Sequence, residues 1–305
     1  MIMNKVLIIG SSGLVGSKYA YNVPTDLRIT PDEKTLDITN GQSVEDYFER
    51  EKDNFEVVIN FAAFTNVDAA EKERGDKNGL CYKLNVVGAE NVAKACLKYH
   101  KFLIHMSTDF IFPGTEDNPG PYEEDTKLPD NLDEKMGWYG WTKNRGEVVV
   151  NEVLHDNRAI VRIAYPFCSD NYDLKLDFVK NYLKLYQEGK LFPIFTDQIF
   201  TPLLLDQLVP VLNKIVEGNI SGIFHVVSAD SATPFDFVSY LLEKAEGVKD
   251  VVQKGSMVEF LKVPGRTPRS KLGGLKSEKT QKILDMKFMT WKEMIDKFLI
   301  DSISV

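Results

Sequence analysis

Cysteine is scarce in this sequence. Only Cys81, Cys96 and Cys168 occur among 305 residues, and their spacing matches no metal-binding motif. A small scaffold held together by disulfides, or one built around zinc, is therefore excluded. We expect three reduced and mostly buried thiols, a cytoplasmic location and no metal site.

Long apolar runs and an excess of positive charge are also absent. No apolar stretch is long enough to span a bilayer. Residues 1–5 lead directly into a strand-like run, so we expect no signal peptide. The net charge of -8 and the pI of about 5.2 argue against a general nucleic-acid binder. Neither a membrane nor a nucleic acid is an expected partner.

Apolar residues make up 43% of the chain, which is enough to bury a full core. Short apolar strands alternate with helical segments in the first half, and no repeat interrupts them. The strands are predicted at 5–9, 27–30, 55–60, 102–106 and 159–163, and the main helices at 14–20, 42–50 and 81–100. This alternation predicts an α/β fold with a doubly wound parallel sheet.

A glycine-rich turn directly follows the first strand: Gly10, Ser11, Ser12, Gly13, Leu14, Val15 and Gly16. A strand, a glycine turn and a helix N-terminus together form a site for a pyrophosphate, because the backbone can approach the anion and N–H groups point at it. The simpler alternative is a tight turn without a ligand.

Further cofactor contacts are expected along the first half. Arg28 could meet a 2′-phosphate, which slightly favours NADPH over NADH, or it could be a solvated residue at a sheet edge. Asp37 could approach the adenine or merely support a turn, and Asn85 could be a satisfied core residue or could hold a catalytic lysine through water. The predicted set is Arg28, Asp37, Ile38, Phe61, Ala62, Ala63, Thr65, Asn85 and Ser107.

The stretch 107–143 contains the candidate catalytic groups. Tyr139 and Lys143 are four residues apart and lie on one face of a predicted helix. An ammonium beside a phenol favours the phenolate, so we expect a lowered tyrosine pKa. A hydroxyl of Ser107 or Thr108 could bind the same substrate oxygen. The set suits proton exchange with a carbonyl or alcohol while hydride moves; an ordinary helix-surface pair is the alternative.

The second half is less regular. We predict a domain built around the parallel sheet over 1–165, to which later segments return, and over 166–305 a smaller mixed α/β lobe that mainly binds substrate. Arg266, Arg269 and Lys271 form a basic segment that could meet a substrate phosphate or an acidic neighbour, or could be a solvated loop. The predicted helices are 171–190, 206–217, 234–246, 277–284 and 291–301, and the predicted strands are 192–195 and 222–227.

Several of these motifs resemble a known family. The residues 10–16, 107–114 and the Tyr139–Lys143 pair resemble the extended short-chain dehydrogenase/reductase superfamily. The residues 60–71, 197–202 and 268–272 narrow the resemblance to the dTDP-4-dehydrorhamnose reductase family. This resemblance implies a Rossmann domain, NADPH or NADH as cofactor, and a nucleotide-activated 4-keto-6-deoxy sugar as substrate, reduced at C4 in deoxysugar biosynthesis.

The resemblance also implies roles for individual residues. Tyr139 is the expected proton donor, Lys143 its activator and a ribose ligand, and Thr108 the hydroxyl partner. Substrate contacts are expected from Val67, Thr108, Asp109, Phe110, Tyr165, Gln198, Arg266, Arg269 and Lys271.

Two alternative functions stay open. One is a bifunctional 3,5-epimerase/4-reductase or a 4-epimerase of a nucleotide sugar. The other is a catalytically idle NADP-binding subunit, similar to the reductase-like regulatory partner of methionine adenosyltransferase. The sequence leaves a homodimer open.

Overall fold

The computed structural model describes residues 5–128, 136–170, 172 and 176–303. The chain forms two compact units, and each is assembled from separate segments. The first contains Met1–Ile111, Asn131–Arg162 and Val209–Phe224. The second contains Phe112–Asp130, Ile163–Leu208 and His225–Val305.

The described residues include ten strands. They are β1 (Val6–Ile9), β2 (Arg28–Ile29), β3 (Val57–Asn60), β4 (Phe102–Thr108), β5 (Arg158–Ile163), β6 (Pro166–Phe167), β7 (Ile194–Phe195), β8 (Leu203–Leu204), β9 (Gly222–Val226) and β10 (Lys254–Gly255). Six of them form a central parallel sheet in the order β2-β1-β3-β4-β5-β9. The predicted fold class, a Rossmann-type doubly wound sheet, is confirmed.

Twelve α-helices occur in the described part of the chain. They are α1 (Leu14–Asn22), α2 (Gly41–Glu51), α3 (Val67–Lys72), α4 (Leu80–Tyr82), α5 (Ala89–Lys98), α6 (Trp138–Leu154), α7 (Phe178–Gln187), α8 (Leu205–Gly218), α9 (Pro234–Glu246), α10 (Met257–Leu261), α11 (Glu278–Leu284) and α12 (Trp291–Ile303). The predicted helix at 171–190 begins at Phe178, and residues 171 and 173–175 lie outside the described residues.

The first unit forms around strands that are buried on both faces. Every residue of β1, β3 and β4 is buried, as expected for apolar strands covered by helices. The side chain of Asn40 starts α2 by accepting hydrogen bonds from the Gln42 and Ser43 N–H groups. The predicted helix at 81–100 is interrupted by a π-helical segment, Lys83–Gly88, which lies between α4 and α5.

The second unit has a core rich in aromatic rings. Two short parallel pairs, β6 with β8 and β7 with β10, provide its strands. The Phe167 ring packs edge-on against Phe178 at 5.6 Å and against Phe237 at 6.0 Å between centroids. Thr233 caps α9, and Pro234 occupies its first position, where the missing N–H has no cost.

Three expectations from the sequence concerned free cysteines, membrane-spanning segments and metal sites. Cys81, Cys96 and Cys168 are free and buried. No helix in the described ranges is long and apolar enough to cross a membrane. Within the same ranges, no group of three or more histidine, cysteine, aspartate and glutamate side chains could hold a metal ion.

Candidate active site

The turn between β1 and α1 has little room for side chains. Gly10 has a φ of +79°, a left-handed conformation that favours glycine, and a Cβ there would lie 2.6 Å from the Ala62 nitrogen. A Cβ on Gly16 would collide with the Gly10 carbonyl. Gly13 differs, because it is exposed and the nearest atom to an added Cβ is the Gly10 oxygen at 3.6 Å.

The N-terminus of α1 fits a pyrophosphate. The helix begins at Leu14, and its cap residue, Gly13, supplies no side-chain hydrogen bond. The first N–H groups and the positive end of the helix dipole therefore point toward the exposed turn. Ser12 is exposed, and Ser11, Leu14 and Val15 are partly buried around it. The absence of a Cβ at Gly13 leaves the approach open, so the residues present suit a dinucleotide.

Two predicted dinucleotide residues are engaged by their own chain. The Arg28 guanidinium donates to the Ala20 carbonyl and, at 3.1 Å, to the Val23 carbonyl, which fixes the end of α1. Asp37 accepts from the Thr39 N–H at 2.9 Å and from the Thr39 hydroxyl at 2.7 Å. These contacts correspond to the turn-supporting role considered for Asp37. Cofactor contacts of both residues stay predictions.

The chain after β3 lies at the point where the strand order reverses, between β1 and β3. Ligands of doubly wound sheets bind at the carboxyl ends of strands at such a point. Phe61, Ala62 and Ala63 are partly buried there, and Thr65 is exposed. Ile38 is buried, and its Cδ1 would lie 2.7 Å from a Cβ on Gly88.

Asn85 connects this chain segment to α6. It lies in the π-helical segment, and its side-chain oxygen, Oδ1, accepts from the Phe64 N–H at 2.9 Å. Its amide nitrogen donates to the Phe64 carbonyl at 3.2 Å and to the Thr142 hydroxyl at 3.0 Å. Asn85 is thus a satisfied buried residue that positions the residue next to Lys143. Its predicted water-mediated contact with Lys143 is not tested.

Helix α6 brings Tyr139 and Lys143 beside the end of β4. The two side chains are 8% and 3% exposed, and Thr108, the last residue of β4, is 7% exposed. The helix can approach closely because Gly140 faces the Phe110 carbonyl and Gly146 faces the Asn85 carbonyl, where a Cβ would collide. The three predicted catalytic residues therefore lie within the first unit.

The charges of this group differ from the sequence-based expectation. Burial raises the pKa of Tyr139 above its usual value, although a hydrogen bond with Thr108 acts in the opposite direction. Lys143 Nζ donates to the Met106 carbonyl at 2.7 Å, and burial lowers the Lys143 pKa to about 8. The expected lowering of the Tyr139 pKa by Lys143 is therefore wrong: burial dominates, and Lys143 is not among the groups that shift this pKa. Tyr139 is a neutral phenol at neutral pH, the state that can give a proton.

Glu71 and a buried ion pair hold α6 in place, and the sequence predicts neither role. Glu71 Oε2 accepts from the Trp138 N–H at 2.8 Å, at the first residue of α6. Glu147, one turn after Lys143, forms a bidentate pair with Arg162 of β5, with N–O distances of 2.9 and 2.7 Å. The motif at 60–71 includes Glu71, but it does not indicate a contact with Trp138, which lies 67 residues later in the chain.

Phe110 and Val67 lie with Tyr139 in one apolar cluster of the first unit. The Phe110 ring meets the Tyr139 ring edge-on at 5.6 Å between centroids. Asp109 is 7% exposed, and its carboxyl is 3.2 Å from the Thr108 hydroxyl. Ser107, which precedes Thr108, is buried, and its hydroxyl has no hydrogen-bond partner among the described residues.

The remaining predicted substrate residues belong to the second unit. The Gln198 amide donates to the Tyr165 hydroxyl and to the Ser270 carbonyl, both at 3.1 Å. Tyr165 has a φ of +44°, an unusual backbone conformation for a bulky residue. The structure thus brings Tyr165 and Gln198 together with the basic segment.

The three basic residues of that segment have different surroundings. Lys271 forms an ion pair with Glu116 at 2.7 Å. The Arg266 guanidinium lies over the Phe260 ring, 4.3 Å from its centroid. Arg269 is partly buried. A role of these residues in substrate binding stays a prediction.

Comparison with known proteins agrees with the geometry. The family described as "RmlD substrate binding domain" matches residues 3–303. A dTDP-4-dehydrorhamnose reductase of Mycolicibacterium smegmatis is 33% identical over 241 residues, which are 77% of this chain and 68% of that protein.

Solved structures give the same result. The dTDP-4-dehydrorhamnose reductase of Bacillus anthracis, in complex with NADP, has a TM-score of 0.84 at 27% identity. The match covers 98% of this chain and 100% of the Bacillus anthracis chain. The Clostridium acetobutylicum protein has a TM-score of 0.83 at 27% identity, with 99% and 100% coverage. The chain therefore belongs to the RmlD substrate binding domain family, the sugar-nucleotide reductases of the dTDP-4-dehydrorhamnose reductase type.

Proposed function

We propose that this protein is an NAD(P)H-dependent oxidoreductase that reduces the C4 ketone of a nucleotide-linked 4-keto-6-deoxy sugar in deoxysugar biosynthesis. The substrate expected first is dTDP-4-dehydrorhamnose, which the names of the relatives contain. One observation carries the proposal: Tyr139, which is a neutral phenol at neutral pH, lies buried at the end of β4 in one group with Thr108 and Lys143.

The side chains suit a reduction. NADPH or NADH, when bound, supplies the hydride. As negative charge develops on the ketone oxygen, Thr108 donates a hydrogen bond to it and Tyr139 gives it a proton. Both interactions are stronger in the transition state than with the ketone, so they accelerate the chemical step. The charge of Lys143, with a pKa of about 8, is retained at neutral pH and stabilises the tyrosinate left behind.

The glycine turn would hold the dinucleotide. The N–H groups at the start of α1 would bind the pyrophosphate, and Phe61, Ala62 and Ala63 would lie beside it. For the diphosphate of the sugar nucleotide, the proposed ligands are Arg266, Arg269 and Lys271. A cytoplasmic location and a homodimer are further proposals; the first follows from the three free cysteines.

The test is a reduction assay with purified protein. It is incubated with NADPH or NADH and a panel of 4-keto-6-deoxy nucleotide sugars, and the loss of reduced nicotinamide is followed. With dinucleotide deuterated at its transferable position, we expect deuterium at C4 of the product. Exchange of solvent deuterium at C3 or C5 would instead indicate an epimerase. No consumption with any sugar, in a protein that still binds the dinucleotide, would favour the idle binding subunit.

A further inference from the structure

Asp109 is a buried acid without a cation. It is 7% exposed, and the groups that act on its carboxyl, Thr108 and backbone N–H groups, include no lysine, arginine or histidine among the described residues. Asp109 interacts electrostatically with Tyr139 on α6, which also interacts with Cys81 on α4. Lys143 on α6 interacts with Cys81, with Glu147 one turn later and with His105 on β4. A buried carboxylate that lacks a cation is costly, so such a group tends to take up a proton instead.

Protonation of Asp109 changes which hydrogen bonds Thr108 can form. Thr108 Oγ1 lies 3.2 Å from Asp109 Oδ1 and accepts the Phe110 N–H at 3.3 Å. A threonine hydroxyl has a single proton to donate. If Asp109 is ionised, Thr108 must give that proton to the carboxylate. If Asp109 is neutral, the acid can donate to Thr108, and the threonine proton stays available for another acceptor.

We propose, on the basis of the proposed reduction, that Asp109 is a positioning residue that works as a neutral acid: it donates its proton to Thr108 Oγ1 and leaves the Thr108 proton for the substrate oxygen. An ionised Asp109 opposes the reaction in two ways. It captures the Thr108 proton, and its negative charge destabilises both the developing oxyanion and the deprotonated Tyr139, whose pKa it raises.

The working range follows from the environment. Burial raises the pKa of Asp109 to about 7, although hydrogen bonds from Thr108 and from backbone N–H groups act in the opposite direction. The active, neutral form is therefore lost as the pH rises through about 7. Lys143, with a pKa of about 8, loses its charge only at higher pH.

The first measurement does not depend on activity. Asp109→Asn resembles the neutral acid, since its amide can donate to Thr108. The pKa of Asp109 is higher in the folded protein than in the unfolded chain. Ionisation of Asp109 therefore lowers the free energy of unfolding as the pH rises from the pKa of the unfolded chain toward about 7. We expect the Tm of Asp109→Asn minus that of the wild type to increase by several degrees between about pH 5 and pH 8. A difference independent of pH would overturn the neutral-acid state.

The second measurement is the pH profile of kcat. Between about pH 6 and pH 8, wild-type kcat should fall about tenfold more than that of Asp109→Asn, whose alkaline limit should move toward the pKa of Lys143. In a Thr108→Val background, Asp109→Asn should shift the profile less, because only the direct effect of the Asp109 charge on the oxyanion and on Tyr139 remains. Equal profiles for wild type and Asp109→Asn, or an undiminished shift without Thr108, would reject the positioning role.

Asp177→Asn is the matched control. Asp177 is another aspartate whose pKa is raised by burial, but it caps α7 in the second unit through the Val179 and Lys180 N–H groups. Its substitution should leave the pH profile of kcat unchanged; a shift equal to that of Asp109→Asn would reject the specific role of Asp109. If the wild type reduces no 4-keto nucleotide sugar, the proposed function fails, while the Tm measurement still decides the charge state of Asp109.

Discussion

The proposed catalytic group of the first unit and the basic segment of the second contrast in how their charges are held. Tyr139 and Lys143 are almost completely buried on a helix that is fixed at several points. Burial shifts the pKa of both side chains by desolvation. In the basic segment, Lys271 is paired with the largely exposed Glu116. Buried groups with a shifted pKa, such as Tyr139 and Lys143, are typical of functional sites. Exposed ion pairs contribute little to stability.

The comparison shows which predictions a sequence can support. A helical spacing of four predicts that Tyr139 and Lys143 share a face, whatever the surroundings. A cluster of basic residues in a loop predicts only charge, since its targets depend on contacts that the loop makes. The predictions below test whether function follows this difference.

The largest effect is expected at Tyr139. Tyr139→Phe removes the proton donor but keeps the ring, so turnover should fall about 10²–10⁴-fold while dinucleotide affinity changes little. Tyr47→Phe, a substitution of a buried tyrosine on α2 whose pKa is also raised, is the control and should retain activity. Steady-state kinetics and fluorescence titration with NADPH measure both. Near-normal turnover of Tyr139→Phe would remove this residue from the mechanism.

The next effect concerns the ion pair behind Lys143. Arg162→Met leaves Glu147 buried without its cation, and the two side chains are only 6% and 4% exposed. We expect a loss of about 3–5 kcal/mol in the free energy of unfolding. Lys271→Met, which breaks the exposed pair with Glu116, should cause a much smaller loss. Denaturant unfolding compares them, and equal losses would abolish the contrast between the two regions.

The same contrast explains what the sequence could and could not predict. The strands β1, β4 and β5 were predicted within two residues, because local apolar runs define them. The π-helical segment was not predicted, since it serves a contact between Asn85 and Phe64, which lie 21 residues apart. The Glu71–Trp138 hydrogen bond spans 67 residues and has no local signal.

Electrostatics was harder to predict than position. The raised pKa of Tyr139 depends on how much water the folded chain removes, and no spacing rule contains that quantity. The segment 113–137, which precedes α6, is described only in part, because residues 129–135 lie outside the described residues. The site residues of the second unit stay predictions for the reason given above: their targets are not encoded locally.

A smaller effect, on dinucleotide affinity, is expected at Gly13 in the first unit. In Gly13→Val the new Cβ makes an ordinary van der Waals contact with the Gly10 oxygen at 3.6 Å, so the protein should fold, but the side chain should obstruct the pyrophosphate. We expect the Kd for NADPH to rise about tenfold or more, which corresponds to about 1.4 kcal/mol. Gly13→Ala, which adds only that Cβ at a φ of -75°, is the control for side-chain size and should raise the Kd less. Unchanged affinity in folded Gly13→Val would mean that the turn binds no pyrophosphate.

The smallest effect is expected in the basic segment. If Arg269 binds the diphosphate of the sugar nucleotide, Arg269→Ala should raise the KM for that substrate about 2–5-fold, because a solvent-screened ion pair contributes little. The KM for NADPH should stay unchanged. Since the contact is the same in the ground and transition states, kcat should change less than KM.

Lys262→Ala is the matched control for Arg269→Ala, since it removes a positive charge from the same unit. Lys262 forms an exposed pair with Glu259, one turn earlier, and has no proposed ligand. Each variant removes one positive charge from the second unit, so general attraction of an anionic substrate would affect them alike. A KM increase confined to Arg269→Ala would indicate a specific phosphate contact. Equal increases would show that the basic segment acts only as diffuse charge, and the contrast between a built site and a solvated loop would then be complete.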